Sequence, residues 1–213
     1  MLAIKNECLT AFSGVGVKVI GATVHLIVDE LDHALRQQNS ATEPLVVATC
    51  LTEPGGGPVN EAAGKVAVFL VNIEREIIPA RAPRQIDAGQ ARVGLRPPPV
   101  YLNLLLMFAA NFGGSKYDEG LKRIAEVIAF FQGRPVFNRL NTPDLDPGLD
   151  QLSLEIENLS ISDLSNLWGV IGGRYVPSVL YRVRVIAIDS GRLSLETPRV
   201  ESATVGLEPA SAA

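Results

Sequence analysis

Two stretches of this sequence are apolar on both faces at strand spacing. In Lys65–Ile73, Val66, Val68 and Leu70 alternate with Ala67, Phe69, Val71 and Ile73. The stretch from Val100 to Ala110 has no wet face either. A strand of that kind has to sit in the middle of a sheet that is covered on both sides. The chain's 213 residues suffice for one sizeable core, and 47% hydrophobic residues exclude a largely disordered chain.

Three segments carry helical periodicity. Val17, Ile20, Val24, Ile27, Leu31 and Leu35 form one stripe, which predicts a helix over 17–38, with Arg36 suited to its negative end. Ser115 and Asp118 mark a second helix start, and Leu121, Ile124, Ala125, Ile128 and Phe131 form its expected buried stripe, stopped by Gly133 and Pro135. Ser162 is the expected cap of a third, short helix carrying Leu164, Leu167 and Trp168 and ended by Gly172 and Gly173. Further strands are expected at 45–51, at Leu152–Ile156 with Ser153, Glu155 and Glu157 on a wet face, at 175–188 with Arg182 and Arg184 sharing a face, and at an edge over 199–207. The resulting expectation is a single α/β (α+β) domain in which helices flank one mixed β-sheet. That domain covers residues 1–190, and 191–213 hold a C-terminal strand and a tail expected to be disordered.

Between the two-faced strands, residues 77–99 show little periodicity and hold Pro79, Pro83, Pro97, Pro98 and Pro99. This predicts a long extended arm loop, and loops of that length in a compact domain are usually functional. Arg81, Arg84, Arg92 and Arg96 in it are the candidate partner-binding residues, because guanidinium groups grip carboxylates in bidentate fashion. Tyr101, Tyr117, Trp168, Tyr175 and Tyr181 are candidate interface anchors, with core packing the competing reading of each.

Chemistry is hard to find. His25, Asp29 and His33 follow one another at helical spacing, but two turns, about 12 Å, separate the histidines, too far for one ion. Gly14, Gly16 and Gly21 do not complete a dinucleotide fingerprint, and Gly64-Lys65 lacks the context of a phosphate loop. No nucleophile–base motif is present. The reading is no catalytic residue, no cofactor and no metal. A net charge of −4 argues against nucleic acid as a main partner. Cys8 and Cys50, two isolated thiols, fit a reducing cytoplasm, and no signal peptide or membrane span is expected.

An ordered set of stretches carries a family resemblance. They are Val71-Asn72-Ile73-Glu74, Pro98-Pro99-Val100-Tyr101-Leu102-Asn103-Leu104, Ala109-Ala110-Asn111-Phe112 with Tyr117 and Leu121, Val127-Ile128-Ala129-Phe130-Phe131, Leu154-Glu155-Ile156, Ser165-Asn166-Leu167-Trp168 and Tyr175-Val176-Pro177-Ser178. Together they resemble the tail-cap (tail terminator) proteins of extracellular contractile injection systems, of the antifeeding-prophage and Photorhabdus virulence-cassette kind. The resemblance implies a phage tail-terminator-like fold and a homohexameric ring at the baseplate-distal end. There it would terminate the inner tube and anchor the last layer of sheath protein, assembled in the cytoplasm as part of a particle that is released or membrane-attached. The competing readings are a transient assembly adaptor and a small-molecule enzyme on an α/β sheet.

Overall fold

The computed structural model describes residues 19–53, 55–76, 84–87, 92–96, 100–146, 149, 151–172, 174–188 and 195–198, the backbone alone at 84–87, 92–96, 100, 186–188 and 195–198. Their order is α1 (Val19–Asn39), β1 (Val46–Ala48), a 3₁₀ turn (Asn60–Ala62), β2 (Lys65–Arg75), β3 (Arg84–Asp87), β4 (Arg92–Arg96), β5 (Val100–Asn111), a second 3₁₀ turn (Gly114–Lys116), α2 (Tyr117–Gly133), β6 (Val136–Asn138), β7 (Gln151–Ile156), α3 (Ile161–Ile171), β8 (Ser178–Ile188) and β9 (Leu195–Pro198).

The two-faced strands are neighbours in the middle of a mixed six-stranded sheet of order β1-β2-β5-β8-β7-β6. β1 runs parallel to β2 and the other pairs are antiparallel. On one face, Val66, Val68, Leu104, Leu106, Phe108 and Val183 pack under α1 and α2. Phe108, Phe131 and Tyr181 meet there at steep ring angles, with centroids 5.0–5.4 Å apart. On the other face, Ala67, Phe69, Leu105, Met107 and Ala109 pack under α3 and the β1–β2 connection. The mixed sheet with helices on it is the expected fold class, and the α1 stripe of Ile27, Leu31 and Leu35 is buried as its spacing predicts.

Several local expectations are corrected. The arm is not wholly irregular: β3 and β4 form an antiparallel hairpin, and β9 adds to it to make a separate three-stranded sheet. The expected strand at 199–207 lies outside the described residues, and β9 precedes it. The buried positions of α2 are Gly120, Arg123, Val127 and Phe131, while Leu121 is 44% exposed. The cause is local. Gly120 is the residue that α2 turns toward Phe112 and Ala110, and an added Cβ would make ordinary contacts with them at 3.4–3.6 Å. Arg123 is carried into the interface with its charge met by Glu126 at 2.7 Å and Glu119 at 3.7 Å. Ser115 does not cap α2, which begins at Tyr117 without a side-chain cap. α3 is capped by Ser160, not Ser162: the Ser160 Oγ accepts from the Asp163 backbone N–H at 3.1 Å and donates to the Asp163 carboxylate at 2.7 Å. Gly172 closes α3 at φ +69°, a left-handed conformation that glycine adopts without strain.

A bulge at Val71 changes the outlook of β2. The register steps from Leu70 opposite Leu106 to Asn72 opposite Leu105. Ile73, expected on the face of Phe69, is thereby opposite Leu104 on the α1–α2 face, and is 42% exposed.

Candidate assembly surfaces

Four features of the described residues are candidates for recognition. The first is the arm hairpin. By backbone register Arg84 stands opposite Arg96 and Arg92 opposite Pro198. Three of the four candidate arginines are thus brought into one small sheet, while Arg81 lies outside the described residues.

The second feature is the outer edge of β2. β1 pairs with it only at Val66, Ala67 and Val68. The Thr49 N–H closes that ladder by donating to the Val68 carbonyl at 3.1 Å. From Leu70 to Arg75 no strand covers the edge among the described residues, and Leu70 and Ile73 are partly exposed beside it. Unpaired backbone groups of this kind are a template for an incoming strand.

The third is the part of the sheet that α3 leaves uncovered. Arg182 on β8 donates from Nη1 to Glu74 on β2 at 2.5 Å and from Nε to Glu157 at 2.7 Å. Arg184 stands 3.8 Å from Glu155. The hydrogen bond from Arg182 holds the Glu157 carboxyl below its ordinary range, and the two carboxylates raise the Arg182 guanidinium above its own. Glu155 and Glu157, expected on a wet strand face, are there, as ion-pair partners of the two arginines.

The fourth is a cleft of ≈ 730 Å³ at the Asn111 end of β5, walled by Leu51, Pro58, Phe112, Tyr117, Arg174 and Tyr175 among others. Arg174 is the one charged residue among its described lining. Tyr117 and Tyr175 are 51% and 61% exposed, and Tyr175 stands edge-on to the buried Trp168 at 5.7 Å. Of the aromatic candidates, these two line the cleft, whereas Trp168 and Tyr181 belong to the core. Burial raises the Tyr181 phenol to about 12. Composition alone does not find the cleft, because its walls come from the β1–β2 connection, the β5–α2 turn and the α3–β8 connection, which are distant in sequence.

His25, Asp29 and His33 stand exposed on α1, with Asp29 and His33 beside a shallow hollow of ≈ 200 Å³ that also touches Asp144. Among the described residues no three His, Cys, Asp or Glu side chains converge as a metal site would require, and no helix is long and apolar enough to cross a membrane.

A family model for the Pvc16 N-terminal domain matches residues 22–202. The chain belongs to the Pvc16 N-terminal domain family. Two solved structures resemble this Pvc16 N-terminal domain chain. One is the cryo-EM structure of the sheath/tube terminator of the extracellular contractile injection system PVC in its extended state, with 13% identity and a TM-score of 0.55 over 88% of this chain and 64% of that one. The other is the cryo-EM structure of the anti-feeding prophage cap, AFP, a tube-terminating cap, with 16% identity and a TM-score of 0.54 over 84% of this chain and 60% of that one. The chain therefore spans less than two thirds of either structure's length, and at these identities the likeness is one of fold. No curated protein sequence matches it.

Proposed function

We propose that this chain is a structural cap of a contractile injection system. It forms a closed homohexameric ring at the baseplate-distal end of the particle, stops the inner tube and anchors the last sheath layer. It acts by shape and surface, without catalysis and without a cofactor. Membership of the Pvc16 N-terminal domain family carries this reading, since the solved structures that share the fold are a sheath/tube terminator and a tube-terminating cap.

The surfaces suggest the roles. The outer edge of β2 receives a strand from the terminal sheath subunit, adding to the sheet through backbone hydrogen bonds. The arm of residues 77–99, which carries Arg81, Arg84, Arg92 and Arg96 in its sequence, reaches a neighbouring subunit or the tube. Residues 1–190 form the body and 191–213 contribute a strand and a tail. The subunit is assembled in the cytoplasm and leaves it as part of a particle, with no insertion into a membrane and no nucleic acid bound.

Co-expression with a tube and a sheath protein tests this. Particles made with the chain have one narrow length distribution, and particles made without it have tubes of uncontrolled length. Equal length distributions in both cases contradict the proposal.

A further inference from the structure

At the corner of the sheet diagonally opposite the cleft stands a rigid apolar knob. Leu140 lies on the turn after β6 and is 96% exposed, the most exposed large apolar residue among those described. A leucine on a loose turn would hide or move. This turn is fixed from several sides. The Asn138 Oδ1 accepts from the Leu140 and Asn141 backbone N–H groups at 2.9 and 3.2 Å, and the Asn138 N–H donates to the Asn141 Oδ1 at 2.9 Å. The Asn141 amide donates to the Val136 carbonyl at 2.8 Å. Arg134 donates to the Asn141 carbonyl and the Thr142 hydroxyl, both at 2.6 Å, while its other nitrogen holds Glu30 of α1. The Arg134 guanidinium also lies 4.6 Å over the Phe137 ring. The turn is therefore bolted to α1, α2 and β6, and it holds an apolar side chain out into water. Such pre-organisation lowers the entropy cost of docking.

The cleft is the complementary half. Its aromatic walls and its volume suit one leucine and the turn that carries it. Arg174 brings a positive charge to the cleft, and the exposed Asp144, four residues past Leu140, brings a negative one to the knob. Arg139, beside Leu140, is engaged within the chain. The two halves cannot meet in one molecule. Asn138 is opposite Gln151, at the Ile188 end of the sheet, while the cleft lies at the Asn111 and Ser178 end. Seven or eight residues of strand and three strand spacings separate them, about 30 Å.

We infer that Leu140 of one copy seats in the Tyr117–Tyr175 cleft of the next copy, giving a head-to-tail contact. A contact between different surfaces at opposite corners of one body propagates, and it closes into a ring when the rotation per copy divides the circle. The inference rests on the ring reading above and names the residues that join neighbours.

Two variants test it by sedimentation velocity, each checked for folding by circular dichroism. Leu140→Asp changes a residue that is 96% exposed. Gly113→Trp plugs the cleft, since nothing lies within 4 Å of a Cβ added there and the backbone φ of −65° suits any residue. Each variant alone loses self-association at least tenfold. Mixed, they form a 1:1 pair and nothing larger, because Leu140→Asp still offers a cleft and Gly113→Trp still offers a leucine. If the wild-type chain forms closed oligomers and either variant assembles as well as it does, or if the folded variants stay monomeric when mixed, the knob-and-cleft contact is wrong while the ring stands. A wild-type chain that is monomeric up to its solubility limit overturns the ring reading itself, and this contact with it.

Discussion

Arg182 on β8 and Glu74 on β2 are joined across an intervening strand: the guanidinium spans β5 and donates to the carboxylate at 2.5 Å. The same side chain holds Glu157 at its other nitrogen. One residue thus ties the far strands of the uncovered sheet face over the buried Asn103 and Leu105.

Arg182→Ala therefore leaves two carboxylates without a donor. It lowers stability at neutral pH by about 1–2 kcal/mol, the range for hydrogen bonds to charged groups on a partly exposed surface. The Glu157 carboxyl is held below its ordinary value of 4.5 in the folded chain. Its contribution is present above that value and is lost as pH falls through the lower, folded one. The stability difference between wild type and variant therefore shrinks below about pH 4.5, the value from which Glu157 is displaced, in urea melts taken down a pH series.

Tyr181 has a buried hydroxyl with no partner among the described residues. Tyr181→Phe removes an unsatisfied group and keeps the ring against Phe108 and Phe131, so stability at neutral pH is unchanged or rises by up to about 1 kcal/mol. The folded phenol titrates near 12 against an ordinary value of 10.0. The stability associated with the protonated form is complete below 10 and declines as pH rises toward 12. The variant loses less stability than wild type over that window, as thermal melts from about pH 9 to about pH 12 will read.

Asp32 is buried on α1, where it faces the start of β1. Its Oδ1 accepts from the Leu45 and Val46 N–H groups at 2.7 and 3.0 Å, and Arg36 stands 2.7 Å from its Oδ2. Asp32→Ala orphans two backbone donors and costs about 2–3 kcal/mol in chemical denaturation. Asp32→Asn keeps one acceptor and costs less.

Ile73→Lys places a charge beside the open edge of β2, at a position already 42% exposed. Natural sheet edges carry lysines for this reason, since an incoming strand would have to bury the charge. The variant keeps wild-type stability within about 0.5 kcal/mol and loses capture by sheath subunits at least tenfold in a pull-down.

The sequence announces what depends on short-range periodicity. The α1 stripe and the two-faced β2 and β5 are set by apolar residues at regular spacing, and the fold buries them. Periodicity misleads where tertiary contacts override it. Leu121 and Ala125 look like core on α2, but the helix turns Gly120 toward Phe112 and Ala110, and ion pairs make Arg123 an acceptable buried residue. The Val71 bulge reverses the face of Ile73, and one inserted residue leaves no compositional mark. The arm conceals β3 and β4 because each strand is only four or five residues long and flanked by prolines. The surfaces are harder still to read. Leu140 belongs to no stripe, and its exposure follows from the Asn138–Asn141 turn, while the cleft is assembled from three separate connections.

The central claim is that the chain works as a repeated part of a closed ring at one end of a tube. Negative-stain microscopy of the purified chain, alone and mixed with preformed sheathed tubes, tests it most directly. The account predicts sixfold rings in solution and one ring at a single end of each tube. Monomers at every concentration, with bare tube ends or particles decorated along their length, would contradict it.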